Sequence, residues 1–242
     1  MSAFSPDAIR AKAITITGHG DDEIEAYLAT PLADGSRGAI VWIHHMPGYD
    51  RETKEFTRRL AVNGYHVVAP NLYSRDAPGA SPDGGVPDER LVGDVAGVVA
   101  YLGSLPGANG KCGVIGHCSG GRHAYLAACS LPFDAAVDCY GGYVVADPRE
   151  GLPKAMKPIL HLAPNLGCPL LGLFGAEDKF PTPTAMATLD AELTKLNQPH
   201  EFHSYDGAGH AFFSVDRPAY RPEAAVDGWR RIDEFFATHL KG

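Results

Sequence analysis

The chain has 242 residues, 45% of them hydrophobic, which is enough to bury a sizeable core in one α/β domain spanning residues 1–242. A net charge of -8 argues against a nucleic-acid or anionic-membrane surface, since neither attracts a chain of that sign. Five cysteines without a Cys-x-x-Cys pair, and an opening stretch without an apolar run, predict a reduced, cytoplasmic protein with no membrane segment.

Residues 13–17 and 24–30, joined through Gly18-His19-Gly20-Asp21-Asp22, predict an antiparallel hairpin at one edge of a sheet. Residues 39–44 then read as a buried strand, 53–63 as an amphipathic helix closed by Gly64, and 66–70 as the next strand. Residues 74–87 are rich in Pro, Gly, Asp and Ser, the pattern of a long functional loop, here expected to overhang the active site. A helix is predicted over 88–102, a strand over 113–115 and a small-residue helix over 121–130. Strands follow at 170–175 and 201–205, and a final helix at 222–240; residues 152–166, crowded by prolines and glycines, receive no assignment. This alternation predicts an α/β fold, a mostly parallel sheet with helices on both faces. No internal repeat or linker interrupts it.

Gly116-His117-Cys118-Ser119-Gly120 lies between the strand ending at Ile115 and the small-residue helix, as a nucleophile elbow does. Its glycines permit a sharp turn that leaves Cys118 strained and exposed above the sheet. An α/β-hydrolase places its acid and then its histidine at the ends of later strands. The strand at 170–175 runs into Ala176-Glu177-Asp178, and the strand at 201–205 into Asp206-Gly207-Ala208-Gly209-His210. Asp178, with Glu177 as the alternative carboxylate, and His210 thus complete a candidate catalytic set with Cys118. The amides of Met46 and Ser119 are the expected oxyanion donors.

These residues resemble the dienelactone hydrolases, the cysteine-using branch of the α/β-hydrolases. Four motifs carry the resemblance: residues 116–122, Pro70-Asn71-Leu72-Tyr73-Ser74-Arg75 with Ala77-Pro78-Gly79, Gly175-Ala176-Glu177-Asp178-Lys179-Phe180, and Gly207-Ala208-Gly209-His210-Ala211-Phe212. The resemblance implies a monomer or homodimer that hydrolyses small esters or lactones without a cofactor. The catalytic route implied is a thioester formed on Cys118, with His210 and Asp178 in support. It also implies that Arg75 contacts a substrate carboxylate and that Tyr140 and Phe180 line the pocket. The alternatives are an esterase for a different small activated ester, and a non-catalytic ligand-binding relative.

Two positions depart from the family pattern. Ser214 stands where the family carries a second arginine for the carboxylate, and Arg122, in the nucleophile helix, is expected to be structural rather than its replacement. His45 stands where the family has a glutamate near the cysteine, so an imidazole within reach of Cys118 would favour thiolate. The pair His44-His45 raises a metal site, but the sequence shows no nearby Cys, Asp or third His to complete a ligand set, and no metal is expected. No Gly-x-Gly-x-x-Gly follows a strand, so no dinucleotide is expected either.

Overall fold

The structure, a computed structural model, describes residues 8–46, 48–76, 85–147 and 156–241. Strands β1 (Ile9–Thr17) and β2 (Glu23–Pro31) pair antiparallel from Ile9 opposite Pro31 to Thr17 opposite Glu23. In β2, Ile24, Ala26 and Leu28 are buried while the alternate Glu23 and Glu25 are exposed, the period expected of a strand with one covered face. The strands that follow are β3 (Arg37–Ile43), β4 (His66–Pro70), β5 (Ala108–His117), β6 (Ala135–Cys139), β7 (Leu170–Gly175) and β8 (His200–Tyr205). They form one sheet in the order β1-β2-β4-β3-β5-β6-β7-β8, parallel from β4 to β8. Every residue of β4, β6 and β7 is buried, and β7 accordingly reads as a continuous apolar run.

Five helices cover the sheet: α1 (Arg51–Val62), α2 (Asp88–Gly103), α3 (Ser119–Ala128), α4 (Pro183–Lys195) and α5 (Pro222–Leu240). On one face α2, α3 and α4 bury Leu91, Val95, Tyr125, Leu189 and Leu193. On the other, α1 and α5 bury Phe56, Leu60, Trp229, Ile232 and Phe236 against Ile40, Trp42 and Ile115. Asp50 caps α1, its Oδ1 accepting from the Thr53 amide at 3.0 Å. The chain leaves β3 for β4 on one side and returns to β5 on the other, so the carboxyl ends of β3 and β5 flank a switch point, where open α/β sheets place ligands.

The expected hairpin, the parallel sheet and its two helical layers are all present. Two elements escaped the sequence reading. Strand β6 is short and carries a buried aspartate, Asp138, within its apolar run; α4 begins at Thr182-Pro183, an N-cap and first-turn proline that announce a helix. Within the unassigned stretch, Leu160–Asn165 forms a 3-10 turn. Residues 77–84 of the loop expected over the active site lie outside the described residues. No helix among the described residues is long and apolar enough to cross a membrane.

Phe236 is fully buried, and its ring occupies the space in which a Cβ on Gly113 would come within 2.7 Å. Phe236→Ala should therefore cost about 3–5 kcal/mol. The check is a urea midpoint that falls with an unchanged m-value.

Candidate active site

Strand β5 delivers the chain to Cys118, whose φ of 57° and ψ of -125° mark a strained turn before α3 begins at Ser119. Backbone proximity explains the flanking glycines. A Cβ on Gly116 would lie 2.0 Å from the Gly120 carbonyl oxygen, and one on Gly120 would lie 2.3 Å from that of Ile43. The turn is pinned on both sides, since the Cys118 amide donates to Cys139 at 3.0 Å and the Gly121 amide to Cys118 at 2.9 Å. Cys118 is half-buried at the head of α3, where the helix dipole favours negative charge.

Asp178 follows β7 and is buried, with its two oxygens divided between two donors. Oδ1 accepts from the Phe180 amide at 2.8 Å, and Oδ2 lies 2.9 Å from His210 Nδ1. Glu177 makes no such contact; its amide donates to Ala208 at 2.9 Å. His210, in the loop after β8, also lies beside Cys118, whose sulfur acts on its charge. Burial opposes charge on this ring, but Asp178 and Cys118 outweigh it and push His210 up to about 10. His210 thus stands between Asp178 and Cys118.

Met46 and Ser119 line the same cavity as Cys118 and His210. Neither amide donates to an acceptor among the described residues. The turn that presents Met46 is built by two histidines. His44 accepts from the Leu72 amide through Nε2 at 3.1 Å, which leaves Nδ1–H to donate to the His45 carbonyl at 2.8 Å. Burial pushes His44 down to about 4, so it is neutral. The Gly48 amide closes the turn on the same His45 carbonyl at 2.8 Å.

The His45 ring turns to other partners than the thiol. Arg217 Nη2 donates to its Nε2 at 3.0 Å, Asp50 Oδ2 lies 3.4 Å from Nε2, and Glu52 Oε2 lies 3.9 Å from Nδ1. Burial lowers its pKa, with Asp50 and Glu52 opposing and Arg217 reinforcing the shift. A neutral acceptor beside an arginine is thus what the structure builds in place of the imidazolium expected at Cys118. The expectation that no carboxylate approaches the His-His pair is also corrected: His45, Asp50 and Glu52 bring ligand atoms within 4.8 Å of one another. Arg217 already supplies the positive charge there and covers Nε2.

A cavity of about 420 Å³ opens over the thiol, lined by Met46, Cys118, Ser119, Tyr143, Phe180 and His210, together with Gly142, Glu177, Asp178 and Lys179. Phe180 lines it as expected, its ring edge-on to Tyr143 at 4.8 Å. Tyr140 sits behind the wall rather than on it, its hydroxyl 3.0 Å from His117 Nδ1 and its ring edge-on to His210 at 5.1 Å. Tyr143, Gly142 and Lys179 were missed in the sequence. The first two sit on the turn after β6, held by the Gly141 amide on buried Asp138 at 2.7 Å; with β6 unread, the turn had no anchor.

Arg75 departs most from its expected place. Its Nη1 and Nη2 grip the two oxygens of fully buried Asp94 at 2.9 and 2.7 Å, and its Nε donates to Asp22 at 2.7 Å. It is not among the residues lining the cavity, and instead fastens the segment after β4 to α2 and to the β1–β2 turn. Arg122 is structural as expected, fully buried with a fork onto Asp88 at 2.7 and 3.0 Å. Ser214 is buried beneath the loop that carries Arg217.

Residues 24–240 match the model of the dienelactone hydrolase family. The chain belongs to that family. It is 32% identical to the "putative carboxymethylenebutenolidase" of Salmonella typhimurium, over 97% of this chain and 90% of that one. It is 30% identical to the carboxymethylenebutenolidase of Pseudomonas putida, over 91% and 94%. A crystal structure of a "putative dienelactone hydrolase" from Klebsiella pneumoniae superimposes with a TM-score of 0.84 at 31% identity, covering 95% of this chain and 99% of that one. Family membership makes this chain an ester or lactone hydrolase on the α/β-hydrolase fold.

Two outcomes follow from this geometry. Arg75→Ala would leave the Asp94 carboxylate buried without its partner, and should cost about 3–5 kcal/mol of stability by chemical denaturation. In NMR titrations His210 should stay protonated until the pH approaches 10, and should titrate closer to 6.5 in both Asp178→Asn and Cys118→Ala. Because its folded pKa lies above the unfolded value, the pair's contribution to stability is complete below pH 6.5. It is lost as pH rises through about 10.

Proposed function

We propose that the protein hydrolyses small esters or lactones through a Cys118-His210-Asp178 triad and a thioester intermediate. The observation that carries the reading is the placement of His210 between Cys118, which acts on its charge, and Asp178, whose Oδ2 lies 2.9 Å from Nδ1, at a cavity lined by Met46 and Ser119, whose amides find no acceptor among the described residues.

The thiolate attacks the carbonyl carbon; a carbon–sulfur bond forms, and the carbonyl π electrons move to oxygen. The Met46 and Ser119 amides stabilise that oxyanion, each donor being worth on the order of 100-fold in rate. Collapse breaks the carbon–oxygen ester bond, and His210 gives its proton to the departing oxygen, which in a lactone stays tethered to the acyl group. Now neutral, His210 takes a proton from water, whose oxygen attacks the thioester. The thiolate leaves and the original charge state returns. Asp178 holds Nδ1–H and stabilises the cation without itself taking the proton. Tyr140, edge-on to the ring, restricts its rotation. The names of the relatives support an unsaturated lactone bearing a carboxylate as substrate.

Cys118→Ala should lower hydrolysis of an aryl ester by about 1000-fold or more while the fold persists. Asp178→Asn should lose about 100-fold or more, against at most a few-fold for Glu177→Gln. A thioester adduct on Cys118, trapped by acid quench and seen by mass spectrometry, is the direct readout. An active Cys118→Ala enzyme would remove the triad reading, and a wild type that binds without turnover would favour a ligand-binding role.

A further inference from the structure

Two cavity-lining residues carry charge apart from Cys118, His210 and Asp178: Glu177 and Lys179, one on each side of Asp178. Asp178 engages both oxygens, on Phe180 and on His210, and makes no ion pair with Lys179. Lys179 is exposed and forms no ion pair or hydrogen bond through its side chain among the described residues. The arginines around the site are all engaged. Arg75 is held by Asp94 and Asp22, Arg90 by the Leu72 carbonyl and Asp76, Arg122 by Asp88, and Arg217 lies on His45.

Moving Arg75 or Arg122 onto a ligand would strand the groups each now satisfies, and for Arg75 that means a fully buried carboxylate. Lys179 strands nothing by moving. Its ammonium, on a flexible stem with three donors, can follow an anion over several ångströms of the rim. Glu177 lines the same cavity with the opposite sign and repels what Lys179 attracts.

We infer that Lys179 is the residue of this site that selects a carboxylate-bearing substrate, with Glu177 setting the strength of that preference. The inference rests on the hydrolytic reading above and deepens it. An anion drawn to Lys179 is held on the side of the cavity where Asp178 and Phe180 stand, while the scissile carbonyl lies between Cys118 and the two amides. Arg75 takes no part, because its charge is already matched by Asp94 and Asp22.

The test compares kcat/KM for an unsaturated lactone bearing a carboxylate with kcat/KM for the corresponding primary amide, and reads their ratio. Lys179→Met should lower the ratio about three- to fivefold, the upper range for an ion pair at an exposed rim. Lys179→Arg should keep it within about twofold, and Glu177→Gln should raise it about two- to threefold. Added salt should lower the ratio of the wild type and leave that of Lys179→Met flat, because screening acts only where the charge pair exists. An unchanged ratio in Lys179→Met, an equal loss in Lys179→Arg, or a fall in Glu177→Gln would each overturn the inference. Turnover of the uncharged amide that disappears in Cys118→Ala upholds the hydrolytic reading whatever the ratio does. A wild type that opens neither lactone overturns both.

Discussion

The first turn of α3 crosses the ends of β3 and β5 so closely that main chain meets main chain, with no room for a side chain at Gly116 or Gly120. That approach fixes the position of the Cys118 sulfur relative to the Met46 turn, because the Ile43 carbonyl lies against Gly120 just before the turn begins. The Met46 and Ser119 amides, which find no acceptor among the described residues, and the thiol are thereby set by backbone geometry. The remaining parts of the site need only bring side chains to a point already defined: Asp178 and His210 from the ends of β7 and β8, and Phe180 and Tyr143 as walls.

Among the imidazoles around the site, positive charge is kept on one. His44 and His117 are buried and pushed down, so they serve as neutral hydrogen-bonding groups. His45 is shifted in the same direction and accepts from Arg217. His210 alone among these four is pushed up, because it alone lies between a carboxylate and the thiol. One fold thus holds four imidazoles near one another and leaves the cation on the ring beside Asp178 and Cys118. Environment, not residue type, separates the roles.

The parts legible in the sequence were those whose requirements are local. The elbow needs glycines on both sides of one residue, and strand ends followed by turns place Asp178 and His210; both patterns occupy a few consecutive positions. Partners distant in the chain were hidden. Arg75 finds Asp94, 19 residues later, and Asp22, 53 residues earlier, and nothing near Arg75 signals either pairing. His45 meets Asp50 and Glu52 a few residues on, but Arg217, which donates to its Nε2, lies 172 residues away, and burial of the ring, the main cause of its lowered pKa, leaves no mark in the neighbouring sequence. Asp138 masked β6 because a buried carboxyl within an apolar run reads as an interruption, whereas here it anchors the Gly141 turn that carries Tyr143.

The hydrogen bond between Arg217 and His45 also has a meaning for the order in which the protein comes off the ribosome. The Met46 turn is synthesised early and the elbow next, yet His210 follows Cys118 by about 90 residues and Arg217 comes later still. At about 5–20 residues per second, the nascent chain carries Cys118 for roughly 5–20 s before His210 exists to lie beside it. A ribosome-stalled chain ending before His210 therefore holds the elbow and the Met46 turn but lacks two later contacts, His210 on Asp178 and Arg217 on His45.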